Sequence, residues 1–213
     1  MEKTSPQLRR KTLTILKTLA WTGCLAPFCW LAWGAVTNTL GPDPTAAIAF
    51  FTGKATLRLL VVTLAITPLR RLWPRLTWLI GFRRLLGLFA FFYATLHMLT
   101  YVALYSGFSP AAMASDIAKR RFITMGAAAY LLLAPLAATS TQSAIRKLGG
   151  RNWKRLHSFV YAAAVCGVIH FWWQVKTGVI TPLAITMALA AVLLARPVTA
   201  WLGRRKAQAS ASA

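Results

Sequence analysis

Three histidines, His97, His157 and His170, are the residues of this chain whose type and setting could do chemistry. Each lies in or beside an apolar run, where an ionisable side chain is costly and points to function. Neutral imidazole can serve as an axial ligand to haem iron, and histidines inside a membrane can also relay protons. The stretch 151–174, RNWKRLHSFVYAAAVCGVIHFWWQ, carries two of the three, thirteen positions apart. At about 1.5 Å of helical rise per residue they stand roughly 19.5 Å apart, most of a hydrocarbon core about 30 Å thick. Such a helix offers one imidazole towards each side of a membrane.

The elements that must hold these residues are membrane spans. Hydrophobic residues make up 57% of the 213 positions, and the acids are only Glu2, Asp43 and Asp116. The apolar runs predict an all-α integral membrane protein with six spans, at about 18–36, 46–69, 85–106, 122–138, 156–175 and 182–202. The first run lacks a small-residue cleavage site and reads as a retained span rather than a signal peptide. Residues 1–17 then form a basic cytoplasmic tail, 18–203 a single six-helix transmembrane domain and 204–213 a short cytoplasmic tail. The segments 37–45, 70–84, 107–121, 142–155 and 176–181 read as connections, with turn chemistry at Gly41-Pro42-Asp43-Pro44.

Net charge is +22, yet the basic residues punctuate the spans and form no continuous stripe, so nucleic acid is not the partner. The N-terminal tail, the segments 70–84 and 142–155 and the C-terminal tail fall on one side and hold eighteen Lys and Arg. Only Lys119, Arg120, Arg121 and Lys176 fall on the other. The positive-inside rule places both termini in the cytoplasm, against membrane lipids whose inner leaflet is anionic. Cys24, Cys29 and Cys166 show no C-x-x-C or C-x-x-C-H pattern, which excludes covalent c-type haem attachment.

Depth separates the histidines. His97 lies thirteen residues after Arg84 and His170 fifteen after Arg155. Both sit roughly 20 Å in from the cytoplasmic face. Two imidazoles at matched depth on different helices are what a bis-histidine haem needs. His157, two residues past Arg155, lies near the cytoplasmic surface, where the third span offers Arg83 and Arg84 but no histidine. It serves equally well as a wet polar group, as a ligand with another partner or beside another cofactor. On a straight helix His157 and His170 point roughly 140° apart, so a common facing requires a π-bulge or altered winding between them. Tyr93, His97 and Tyr101 share a face by the i, i+4 rule. Lys54 and Arg58 interrupt the second span. Both can snorkel to the interface, or Arg58 can pair with a buried anion such as a haem propionate. Trp153, Trp172 and Trp173 read as interfacial anchors.

The segment Leu148-Gly149-Gly150-Arg151-Asn152-Trp153-Lys154-Arg155-Leu156-His157, followed by Tyr161 and His170, resembles the LG-x-x-x-W-x-x-LH segment of ferric-reductase-like transmembrane domains. Leu40-Gly41-Pro42-Asp43-Pro44, Phe51-Thr52-Gly53 with Leu57-Arg58, Thr67-Pro68-Leu69-Arg70, Arg83-Arg84-Leu85-Leu86-Gly87-Leu88 and Thr139-Ser140 narrow the likeness to the MsrQ (older name YedZ) family over nearly the whole chain. The resemblance implies a multi-pass protein of the bacterial inner membrane with b-type haem, one or two, and FMN as cofactors. His97, His157 and His170 would be the iron ligands. It implies a periplasmic molybdopterin-containing methionine-sulfoxide reductase subunit (MsrP) as partner, with the quinone pool or a cytoplasmic flavin reductase as donor. The chain would then be an electron-transfer subunit rather than the catalytic one. About ten residues follow the last span and no G-x-G-x-x-G opens a helix, so a nicotinamide domain is not expected. Two other readings compete. A self-sufficient cytochrome b-type quinol or metal-ion reductase would turn over without a partner. A proton-coupled transporter would be colourless, and the scarcity of intramembrane carboxylates weighs against it.

Overall fold

The computed structural model describes residues 6–175 and 178–211. Of the charges counted by side, Lys3 and Lys176 lie outside the described residues, as does part of the expected turn at 176–181. Among the described residues every regular element is helical: α1 Pro6–Val36, α2 Pro44–Leu72, α3 Ile80–Thr100, α4 Pro110–Lys119, α5 Arg121–Ala138, α6 Gln142–Leu148, α7 Gly150–His157, α8 Phe159–Gln174 and α9 Ile180–Ala211. Six stretches among them are long and apolar enough to cross a membrane: Lys11–Val36, Pro44–Leu72, Pro74–Tyr105, Arg121–Ala138, Gly150–Gln174 and Ile180–Arg205. The protein is a multi-pass membrane protein.

The chain forms two compact units, one ending at Ile48 and the other beginning at Ala49. In the first, the turn expected at 37–45 follows α1, and the Asp43 carboxylate accepts from Ala46 N at 2.9 Å. With Pro44 opening α2, this is an ordinary helix start.

In the second unit, helices meet across small residues. Apolar burial drives little between helices already in lipid, so close backbone approach does the work. Ala163, Ala164 and Gly167 of α8 supply it. Ala163 is buried with Leu60, Ala90, Ala94 and Leu133, and Ala164 with Leu57, Leu64, Val168, Phe171, Ile185 and Leu189. A β-carbon at Gly167 would stand 2.9 Å from Leu57 Cδ2. α2 is thus held between α3, α5 and α8 on one side and α8 and α9 on the other.

Three expected connections are largely helical. Segment 70–84 holds the end of α2, a 3₁₀ turn at Pro74–Leu79 and the start of α3. Segment 107–121 holds α4, capped by Ser109 Oγ on Ala112 N and opened by Pro110. Segment 142–155 holds α6, capped by Thr141 Oγ1 on Ala144 N, and most of α7. Gly149, at φ 73°, separates α6 from α7, a conformation that glycine adopts without strain.

Two irregularities bear on the histidines. α7 and α8 are parts of one span broken at Ser158, whose N–H reaches both Lys154 O and Arg155 O at 3.1 Å. The winding therefore changes directly after His157. The π-turn itself lies elsewhere, at Tyr101–Tyr105, where Ser106 N bonds to Tyr101 O at 3.0 Å. It begins four residues after His97.

Candidate functional site, a paired-histidine cavity

His97, near the end of α3, and His170, near the end of α8, face one another with ring centroids 5.8 Å apart and planes at 80°. The depth matching expected from Arg84 and Arg155 is seen here as direct proximity. Each ring is fixed by a backbone carbonyl of another helix. His97 Nδ1 lies 2.9 Å from Ala49 O, in α2. His170 Nδ1 lies 2.6 Å from Phe122 O, in α5. A carbonyl only accepts, so both Nδ1 atoms carry the proton and donate, and each Nε2 keeps its lone pair. Neither Nε2 has a hydrogen bond among the described residues. Thr52 Oγ1 stands 3.4 Å from His97 Nδ1 as a weaker neighbour.

Two glycines permit this placement. A β-carbon on Gly126 of α5 would lie 2.8 Å from His170 Nδ1 and 3.0 Å from its Cε1. One on Gly53 of α2 would lie 3.2 Å from His97 Cε1. The helix backbones therefore press on the protonated edges of the two rings. Sequence reasoning passes over both glycines, since a glycine inside an apolar helix carries no signal of what it approaches.

Both rings line a cavity of about 320 Å³ whose walls include Leu57, Leu60, Ala94, Tyr130, Leu133 and Ala163. Its volume lies at the low end of the range of small-molecule sites. Among the described residues Lys54 and Arg120 are the cations on its lining, and no carboxylate lines it. Arg120 Nε pairs with Asp116 Oδ1 at 3.1 Å, and Tyr101 OH donates to Asp116 Oδ2 at 3.1 Å. Arg58 does not line the cavity and is exposed. At roughly 100° per residue it falls about 145° from the centre of the face that Ala49, Gly53, Leu57 and Leu60 present. Of the aligned tyrosines, Tyr101 lines the cavity, whereas Tyr93 is buried elsewhere in the core.

His157 does not line this cavity. Its Nε2 lies 3.1 Å from Thr139 Oγ1. The Thr139 hydroxyl already donates to Pro135 O at 2.6 Å. Its oxygen therefore accepts, and His157 Nε2 carries the proton, the opposite tautomer to the deep pair. Trp153, read from sequence as an anchor, stacks on His157 at 4.0 Å and 27° and donates from Nε1 to Thr139 O at 2.9 Å.

The paired site fits a metal held between two imidazoles. A metal–imidazole bond is about 2 Å, as at zinc, and the ring centre stands roughly 1.2 Å behind the nitrogen, so opposed rings have centroids about 6.3 Å apart. The observed 5.8 Å is close to that. Carbonyl-bound Nδ1–H groups are the outer-shell partners that liganding histidines use.

The class of protein follows from the match of residues 52–168 to the family described as ferric reductase like transmembrane component. The narrower relationship is as plain. A protein-methionine-sulfoxide reductase heme-binding subunit MsrQ of Ralstonia nicotianae is 45% identical over 199 residues, covering 92% of this chain and 91% of the relative. That of Herminiimonas arsenicoxydans is 44% identical, covering 93% and 92%. That of Xanthomonas oryzae is 43% identical, covering 95% and 94%. The chain belongs to the MsrQ family.

Proposed function

We propose that this chain is the haem-carrying membrane subunit of a methionine-sulfoxide reductase system and passes electrons across the membrane to a separate reductase. The observation that carries the reading is the His97–His170 pair, 5.8 Å apart with both Nδ1 atoms committed to carbonyls. Bound between these residues, b-type haem would supply one-electron chemistry at its iron. The chain's own residues do the rest. His97 and His170 would hold it through Nε2, while the Ala49 and Phe122 carbonyls fix each ring. The apolar lining excludes water. Lys54 and Arg120, rather than Arg58, stand where they can neutralise the two haem carboxylates.

In the orientation favoured by the basic loops, both termini are cytoplasmic and the cavity lies in the periplasmic half of the bacterial inner membrane. A molybdopterin-containing reductase subunit (MsrP) docks on the periplasmic side, where α4 lies. Electrons enter from the quinone pool or a cytoplasmic flavin reductase, with FMN as a second cofactor. His157 belongs to a separate site at the other end, and its Nε2 reaches a metal only if the bond to Thr139 opens. The chain is thus the electron-transfer subunit, not the one that reduces methionine sulfoxide.

The test is to reduce the purified protein with dithionite, remove the excess and follow the visible spectrum. Reoxidation is expected only when both methionine sulfoxide and the purified periplasmic reductase are present. Reoxidation by methionine sulfoxide alone would assign catalysis to this chain, and a colourless protein from haem-supplied cells would end the electron-transfer reading.

A further inference from the structure

Lys119, Arg120 and Arg121 are consecutive cations at the junction of α4 and α5. Arg121 opens α5, whose first turn carries no acid, although the helix dipole disfavours positive charge there. Arg120 is paired with Asp116. Lys119 and Arg121 are exposed, and neither has a carboxylate partner among the described residues. In the orientation favoured by the basic loops this junction faces the periplasm, the side on which Lys and Arg are ordinarily scarce. Neither the helix start nor the topology calls for the charge.

The charge borders the way to the histidine pair. With Phe122 and Trp173 the three cations line one open cleft. Arg120 and Phe122 also line the histidine cavity, so they form the wall between the two. Phe122 O holds His170 Nδ1 at 2.6 Å, and the Phe122 ring stands 6.0 Å from the imidazole. Trp173 follows His170 by three residues on α8, which puts both on one side of that helix, and its indole is 51% exposed. Lipid head groups account for cations anywhere on the rim of a bundle, but not for their gathering at the wall of this cavity. Aromatic and arginine side chains are the residues that protein interfaces enrich. Transient redox partners meet over small surfaces, and complementary charge speeds such encounters.

We infer that Lys119, Arg121 and Trp173 form the docking surface for a carboxylate-rich face of the separate reductase, which seats that protein beside His170 with Phe122 between them. The inference rests on the electron-transfer reading and adds to it the surface and the chemistry of the partner's face. Lys119 and Arg121 steer and hold the acidic face, and Trp173 supplies the apolar contact.

Binding of the purified periplasmic reductase to the full-length protein in phosphatidylcholine nanodiscs, followed by biolayer interferometry, tests it. Wild-type affinity is expected to fall at least about tenfold as KCl rises from about 50 to about 500 mM. Lys119→Gln combined with Arg121→Glu should weaken binding at least about tenfold at low salt, with the haem spectrum unchanged. An acid at the start of α5 suits the helix dipole, so folding is spared. Arg146→Gln with Lys147→Glu, an equal change of charge at exposed positions of α6, should bind as the wild type. In the wild-type complex a carbodiimide should join Lys119 to a carboxylate of the reductase, a readout that needs no variant. A double variant that binds like the wild type, an equal loss in the α6 variant, or loss of retained phosphatidylglycerol alone overturns the surface. Binding is measured without turnover, so the two readings fail separately. Reduced wild-type protein that the reductase and methionine sulfoxide do not reoxidise ends the electron-transfer reading, whereas reoxidation that persists unchanged in the double variant counts against the surface alone.

Discussion

The two ends of the second unit each hold histidine, and they treat it in opposite ways. At one end His97 and His170 give their Nδ1 protons to backbone carbonyls and turn two lone pairs towards an apolar cavity. At the other, His157 is protonated at Nε2, bonded to a hydroxyl and covered by an indole. Residue type therefore does not decide the role; the partner of the second ring nitrogen does. A backbone carbonyl cannot reverse its bond, so each deep ring keeps its proton on Nδ1 and its lone pair on Nε2. A threonine hydroxyl can rotate, so the bond at His157 can reverse.

The largest effect should come from removing either member of the deep pair. His97→Ala and His170→Ala are each expected to abolish the haem between them, read by pyridine haemochrome analysis. His157→Ala should leave that haem in place. Equal and complete loss in all three variants would erase the distinction between the two ends. Next in size is Gly126→Ala, whose β-carbon at 2.8 Å would displace the His170 ring. It should lower haem occupancy several-fold, and Gly53→Ala, at 3.2 Å from His97, should do so less. Reversal of that order would mean that ring placement does not control occupancy.

Charge comes third. Lys54→Gln or Arg120→Gln should lower the midpoint potential by roughly tens of millivolts, because a nearby cation favours the reduced state. Arg58→Gln should leave it unchanged in a redox titration. The smallest effect belongs to Thr139→Val. Loss of the acceptor for His157 Nε2 should cost about 1 kcal/mol of stability in a thermal melt, with the haem spectrum of the deep pair unaltered.

Counting residues from Arg84 and Arg155 is enough to bring His97 and His170 to one depth, because helical rise is constant and basic residues mark the membrane surface. The carbonyls of Ala49 and Phe122 leave no trace in residue type, since every residue carries one. Arg58 illustrates the limit of the i, i+4 rule: it shares a strip with Lys54, yet the cavity ends between them. The winding does change at Ser158, yet His157 and His170 stand at separate sites and share no facing. α4 and α6 read from sequence only as connections; the structure shows Ser109-Pro110 and Thr141 starting them.

The central claim is that His97 and His170 together would hold one haem without His157. The most direct measurement is the electron paramagnetic resonance spectrum of oxidised, detergent-purified His157→Ala protein. With rings at 80°, the account predicts a strongly anisotropic low-spin signal of bis-imidazole haem. A high-spin signal alone, or a variant with no haem, would contradict it.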